Sequence, residues 1–362
     1  MKICFLANAK SAHIEKWSRW FIKKGNKVHV ISFNDALIPG AEVHYINTGT
    51  SIKAKDVKKL NYLLHGQKIR KLIDVINPDI INAHFATSYG TAIALAGIKR
   101  PYFLSVWGSD IYDFPKKSLL HKWMLKFSLS KASYLMSTSN AMAEEAAKYT
   151  NRIFEITPFG VDCNLFSPDK RKEHKSFIIG TVKTLEPKYG IDYLLKAASL
   201  ITKSNPEIPL RVRIAGTGAN EGEYHNLARS LEVDHIVTWL GFVSQEDAAL
   251  EWANMDIGIV YSTLESESFG VSAVEANACG TSVIISDIPG LMEATKPGVT
   301  SVVVPRKNEK LLAQKIVELY YNPRLRSEYG MAGRKFVEEN YELDICFEKV
   351  EHLFKKYLFL YN

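Results

Sequence analysis

No run of apolar residues in this chain approaches the roughly 18 needed to cross a bilayer, which leaves no candidate membrane-spanning helix in the sequence. Cysteine is scarce too. Cys4, Cys163, Cys279 and Cys346 stand alone, without the paired spacing of a metal site or a disulfide framework. They read as reduced, buried residues of a cytosolic protein. The opening MKICFLANAK has a lysine but neither an apolar h-region nor a small-residue cleavage site, so it does not read as a signal peptide.

What is present is ordinary in bulk and uneven in distribution. The 362 residues are too many for one core and suit two domains. A 46% hydrophobic and 23% charged composition fits a soluble globular protein. The net charge of +7 is not shared evenly: residues 1–165 hold 23 Lys and Arg against 12 Asp and Glu, and the remainder holds 23 against 27. A basic first half points to an anionic surface, membrane or nucleic acid.

Short apolar runs alternate with amphipathic stretches throughout. KICFLAN, KVHVISF, DIINAHF, YFLSVWG and YLMSTSN read as buried strands, with helical patterns between them at 14–24, 55–76 and 118–131. TPFGVDCNLFSP (157–168), with Pro near both ends, reads as a linker. The rhythm then restarts with SFIIGTV, LRVRIAG, HIVTWLG, DIGIVYS and TSVIISD, followed by helical patterns at 307–321 and 324–357. The expectation is two doubly wound α/β domains, residues 1–160 and 161–340, facing across a cleft. Residues 341–362 form a helix that returns to the first domain.

ESESFGVSAVEANACGTSVI (265–284) is the least generic stretch. Glu267 falls in a strand-to-helix loop and Glu275 within the following helix, with Gly270 at the helix start. Backbone amides at such a start favour a phosphate, while a carboxylate accepts hydrogen bonds from sugar hydroxyls. The spacing is equally consistent with one exposed and one buried, satisfied glutamate. IGTVKTLEPKYG places Lys183 and Lys188 beyond another strand end, where two cations neutralise a diphosphate or are simply solvated. RIAGTGANEGE supplies a tight turn at Gly216 and Gly218.

Taken in order, KTLEPKYGIDYLL, IAGTGANEGEYHNLA, IVTWLGFVSQEDAALEWANMDIGIVYS and ESFGVSAVEANACGTSVIISDIPGLMEAT resemble the family-four retaining glycosyltransferases of GT-B fold, over residues 157 to about 305. The resemblance implies that Glu267 contacts donor-sugar hydroxyls near the reacting centre. The amides of Phe269, Gly270 and Val271 cradle the diphosphate and sugar, and Glu275 holds the ribose. Lys183 and Lys188 stand for the family's Arg and Lys, Lys replacing Arg with the pair set one position earlier, so a point charge replaces a bidentate fork. Gly216 and Gly218 match the family's glycine turn, and Gly241 with Phe242 lie where the base packs.

The first half departs more from the family pattern. In place of a Gly-Gly loop it has NAKSAHIEKW, with Lys10 and His13 as candidate acceptor contacts. In LSVWGSD, Trp107 occupies a position where many members carry histidine, and Asp110 matches the family's aspartate near the reacting centre. Trp107 is either core or a stacking surface for a sugar. His84, at the end of a strand, is either a structural histidine or a ligand contact.

The implied reaction moves a sugar from a nucleoside-diphosphate sugar, with uridine as the expected base, with retention of configuration. The acceptor is a saccharide or polyprenyl-linked saccharide of surface polysaccharide or glycoconjugate assembly. The sequence contains no D-x-D motif, so neither metal nor cofactor is expected. Charge stabilisation falls to the lysines and the helix dipole. The basic surplus concentrates in IKAKDVKKLNYLLHGQKIRKL and PKKSLLHKWMLKF. The second reads either as an amphipathic helix on the anionic inner face of the cell membrane or as an ordinary half-buried helix. Alternatives are a UDP-sugar epimerase of GT-B fold, a non-catalytic nucleotide-sugar-binding protein, and a nucleic-acid binder. The last lacks a recognised motif, so no nucleic-acid partner is expected.

Overall fold

The computed structural model describes residues 1–49 and 64–361. They form two compact units, Met1–Phe159 with Phe347–Asn362, and Gly160–Cys346.

The first unit is built on a seven-stranded, wholly parallel sheet: β1 (Lys2–Leu6), β2 (Lys27–Ser32), β3 (Glu42–Tyr45), β4 (Ile80–His84), β5 (Phe103–Val106), β6 (Tyr134–Ser137) and β7 (Phe154–Ile156). Its order is β3-β2-β1-β4-β5-β6-β7. The five expected strands are all present. The edge strands β3 and β7 are additional; with four and three residues of mixed polarity they are too short to give a period-2 signal. Helix α1 (Ala12–Lys23) buries Ile14, Trp17, Trp20 and Phe21 at helical spacing. Helix α2 (Gly66–Ile76) buries Ile69, Ile73 and Ile76. The rest of the helix expected at 55–76, residues 55–63, lies outside the described residues, as does much of the first basic segment. Helix α3 (Leu119–Lys131) is capped by Ser118, whose hydroxyl accepts the His121 N–H.

The second unit carries a six-stranded parallel sheet: β8 (Phe177–Val182), β9 (Leu210–Ala215), β10 (Val237–Gly241), β11 (Ile257–Val260), β12 (Ser282–Ser286) and β13 (Ser301–Val304). The order β10-β9-β8-β11-β12-β13 reverses between β8 and β11. The carboxyl ends of the two strands at such a reversal are the usual ligand position in sheets of this type. The loop after β11 leads into helix α4 (Val271–Ala278).

The helical stretch expected at 324–357 is interrupted. After α5 (Glu309–Tyr321), α6 (Pro323–Asn340) ends where Tyr341 turns to pair with Val161, the Val161 N–H donating to the Tyr341 carbonyl at 2.8 Å. Leu343 N–H returns a bond to the Val161 carbonyl. The Glu342 carboxylate then accepts the Asp344 and Ile345 N–H groups and starts α7 (Leu343–Tyr361). These bonds hold residues 341–346 in the second unit, so the division falls six residues beyond the expected 340. From Phe347 onward the helix belongs to the first unit. Phe347 meets Trp17 edge-on at 5.2 Å and stacks on Trp20 at 5.5 Å, while Phe354 stacks on Phe21 at 5.6 Å. Each such buried ring contributes roughly 1.5–3 kcal/mol.

Candidate functional site

In the second unit, three loops converge at the carboxyl ends of β8, β9 and β11. Lys183 N–H donates to the Ala215 carbonyl at 2.9 Å and Leu185 N–H to the Thr217 carbonyl at 3.0 Å, tying the loop after β8 to the glycine turn after β9. Gly216 adopts φ +136°, and a Cβ there would fall 2.0 Å from the Lys183 carbonyl oxygen. A Cβ on Gly218 would come within 2.3 Å of the Leu185 carbonyl oxygen. The glycines therefore let two backbones touch and fix where Lys183 emerges. On the other side, Thr263 N–H donates to the Lys188 carbonyl at 2.6 Å and joins the loop after β11 to the same lysine-bearing loop.

This convergence brings the expected charges together. Lys183 Nζ lies 2.9 Å from Glu267 Oε2, and only 8% of Glu267 is exposed. Ser262 donates its hydroxyl to the same carboxylate oxygen at 3.2 Å, and Lys183 Nζ also reaches Ser272 Oγ at 3.4 Å. The ammonium groups of Lys183 and Lys188 each lie 4.7 Å from the centre of the Tyr189 ring, which holds the two cations on one aromatic group. Burial by itself would raise the Glu267 pKa. Lys183, with help from Lys188 and Ser262, outweighs it and holds the carboxyl below its ordinary range. Glu267 is therefore an anion at neutral pH.

Gly270, at φ +79°, caps α4, and a Cβ there would press to 2.5 Å from Leu291 Cδ2. The first-turn amides of α4, starting at Val271, present the positive end of a helix at this end of the sheet. Glu275 is buried within α4. Phe269 turns its ring into the core, edge-on to Tyr341 at 5.2 Å, so only its backbone is available to a ligand. Gly241 ends β10, and the Phe242 ring beyond it is 84% exposed.

The residues expected in the first half behave differently. Asp110 is fully buried, and its carboxylate accepts N–H groups from Ala86 (2.8 Å), Trp107 (3.1 Å) and Gly108 (2.8 Å). Burial raises its pKa against those bonds. Its oxygens are engaged by backbone in joining the loops after β4 and β5. His84 is also core: Phe5, Trp17 and Trp107 surround it at 4.9–5.4 Å, neither ring nitrogen has a hydrogen-bond partner, and burial lowers its pKa to about 3.

His13 stacks on Phe159 at 4.1 Å, and Trp107 meets both rings edge-on at 5.3–5.7 Å. Lys10 is exposed, its own N–H donating to Asn8 Oδ1. Sequence reasoning misses Phe159, which falls in the linker pattern, and Tyr189, Ser262 and Ser272. Ser262 lies two residues beyond β11 and Ser272 in the first turn of α4, near residues already singled out, and Tyr189 sits between Lys188 and Gly190. It also misses Arg306, whose guanidinium joins Asp287 at 3.0 Å and Glu265 at 3.6 Å across loops at the same sheet end.

Residues 164–336 match the family described as Glycosyl transferases group 1, and residues 2–139 match that described as Glycosyl transferase 4-like. A D-inositol 3-phosphate glycosyltransferase of Arthrobacter sp. (strain FB24) is 30% identical over 82% of this chain and 76% of its own length. The chain belongs to the glycosyltransferases. An enzyme of the same name from Pseudarthrobacter chlorophenolicus is 32% identical over 56% of this chain, which spans half of that relative's length. Among solved structures, the Anabaena protein HepE, in complex with UDP and glucose, superimposes with a TM-score of 0.79 at 18% identity over 98% of this chain and 99% of its own. The fold of this glycosyltransferase is thus GT-B, with two Rossmann-like domains.

Proposed function

We propose that this glycosyltransferase moves a sugar from a nucleoside-diphosphate sugar, with UDP as the expected carrier, to a saccharide or lipid-linked saccharide, and that it does so with retention of configuration. The observation that carries this reading is the buried Lys183–Glu267 pair beside Lys188 and the start of α4. A diphosphate needs cations and amides. A sugar beside it needs a hydroxyl acceptor held anionic, and Glu267 is such a group.

In this scheme the diphosphate lies over the amides of Phe269, Gly270 and Val271, with Lys183 and Lys188 taking up the charge that grows on it as the glycosidic bond breaks. Glu267 orients the sugar hydroxyls and keeps Lys183 in place between turnovers. Glu275 accepts from the ribose, and the base lies against Gly241 and Phe242. The first unit takes the acceptor, whose hydroxyl attacks from the face the diphosphate leaves, giving up its proton to the departing phosphate oxygen. Lysines and helix amides suffice for the charge, so no metal is required.

The exposed side of α3 supports a membrane setting. Leu119, Leu120 and Trp123 are exposed beside Lys116, Lys117, Lys122 and Lys126, with Trp123 stacked on Phe127 at 5.4 Å. No described helix is long and apolar enough to cross a membrane. A lipid-linked acceptor at the inner face of the cell membrane fits this surface.

The test is hydrolysis and transfer from a panel of UDP-, GDP- and ADP-sugars, with and without EDTA, for the native protein and Glu267→Ala. Release of one nucleoside diphosphate, insensitive to EDTA and lost in the variant, is the expected result. Silence across the panel, with no donor binding by calorimetry, would leave a binding protein on a transferase fold.

A further inference from the structure

Strands β2 and β3 place three metal-ligating side chains together at one edge of the first sheet. In the parallel register His29 lies opposite Glu42, and His44 follows two residues along β3. Side chains two apart on a strand share a face, as do those of paired residues on neighbouring strands, so all three project to one side. His29 Nδ1 is 3.1 Å from His44 Nε2 and 3.5 Å from Glu42 Oε2, and the three ligand atoms lie within 4.8 Å of one another. Two ligands about 2.0–2.1 Å from a tetrahedral zinc ion lie about 3.3 Å apart. The observed spacings of 3.1 and 3.5 Å bracket that figure.

We propose that His29, Glu42 and His44 form a zinc site that clips the edge strand β3 to β2. Two imidazoles and one carboxylate are a borderline-soft set that suits zinc and is a poor match for magnesium or calcium, which take oxygen ligands. The burial gradient fits a structural clip with one outward position for water. His29 is buried, His44 is half-buried and Glu42 is exposed, so the ion would be held from beneath and reached from the surface. The alternative for the same geometry is a single shared proton between the two rings. That arrangement leaves Glu42 with no role as a ligand, and it is what the experiment must separate. β3 is only four residues long and pairs on one side alone among the described residues, so a metal bridge would add a cross-strand link at an edge of the sheet. The site is independent of the donor chemistry proposed above, since its residues lie in the other unit.

The experiment uses the full chain without an affinity tag, stripped with EDTA and titrated with ZnCl₂ by calorimetry and with CoCl₂ by visible absorption. One zinc per chain is expected, with the intense d–d bands of tetrahedral nitrogen–oxygen cobalt. His29→Ala and His44→Ala are each expected to weaken binding by at least about tenfold, as is Glu42→Gln, whose exposed position leaves folding intact. Zinc should slow amide exchange across residues 42–45 in the native chain and not in His44→Ala. Absence of saturable one-to-one uptake would overturn the proposal. So would uptake unchanged by His44→Ala and Glu42→Gln, or a thiolate-to-cobalt band assigning the metal to cysteine.

Discussion

Lys183 and Glu267 form an ion pair at 2.9 Å in which both side chains are largely buried, and each comes from a loop at the switch point of its sheet. On the proposed reading of the site, the pair reconciles two demands that oppose each other in water. A diphosphate site needs positive charge, whereas a sugar site needs an anionic acceptor of hydrogen bonds. Placing the charges in contact keeps the buried Glu267 carboxylate ionised within the fold.

The first prediction tests that arrangement. Glu267→Gln preserves shape, removes the anion and leaves Lys183 free for the diphosphate. Transfer should fall by about 10²–10³, while the released nucleoside diphosphate binds as well as before or more tightly. Unimpaired turnover would remove Glu267 from the mechanism. Lys183→Ala instead strands a buried carboxylate, at a cost of about 3–5 kcal/mol in urea denaturation. Combining it with Glu267→Gln should recover part of that loss, and strictly additive effects would mean that the two groups do not interact.

Gly216 carries the second prediction. Its φ is +136°, and the Lys183 carbonyl oxygen lies 2.0 Å from where a Cβ would stand, so alanine has nowhere to sit without moving the lysine-bearing loop. Gly216→Ala should lower stability by about 1–3 kcal/mol and raise KM for the donor more than it lowers kcat, because Lys183 is displaced in the ground state as well. A variant with native melting temperature and native KM would show that the contact is slack.

Much of this is legible in the sequence, for a physical reason. Ten of the strands are apolar runs bounded by turn residues, and Glu267, Gly270, Glu275, Lys183 and Lys188 lie in short stretches whose local geometry is set by adjacent residues. Edge strands β3, β7 and β13 are not legible: they are short and only partly buried, unlike the fully buried four-residue runs in the middle of each sheet. Nor is the fate of Asp110 and His84. A polar residue at a strand end points either into the fold or out of it, and only the packing of Trp17, Trp107 and the Ala86 backbone decides. Phe159 escapes because its partner His13 is far away in the chain.

His84 yields a pH prediction. Its folded pKa is lowered to about 3 by burial, against about 6.5 in an unfolded chain. Between those values the unfolded state binds the proton and the folded state does not. Stability is therefore full above pH 6.5 and is lost as pH falls toward 3, at up to about 1.4 kcal/mol per pH unit. His84→Phe, which keeps an aromatic ring among Phe5, Trp17 and Trp107, should flatten this slope between pH 6 and 4 in denaturation curves. Equal slopes in the two proteins would mean that other groups govern acid unfolding.

The surface of α3 gives the last prediction. Leu119 is 86% and Trp123 59% exposed, an arrangement that places apolar side chains in water unless something covers them. The four lysines at 116, 117, 122 and 126 select an anionic cover, and a bilayer supplies both charge and apolar depth. The native protein should sediment with phosphatidylglycerol vesicles and not with phosphatidylcholine vesicles, with a blue shift of tryptophan emission that Trp123→Ser removes. Lys122→Gln with Lys126→Gln should weaken binding by about tenfold or more, at about 1 kcal/mol for each lysine near the surface, and raised salt should do the same. Leu119→Ser with Leu120→Ser should weaken binding without changing its salt dependence, because the apolar and electrostatic contributions arise from different atoms of the same helix. Failure to bind either vesicle would send the acceptor question back to soluble saccharides and leave the exposed leucines without a membrane role.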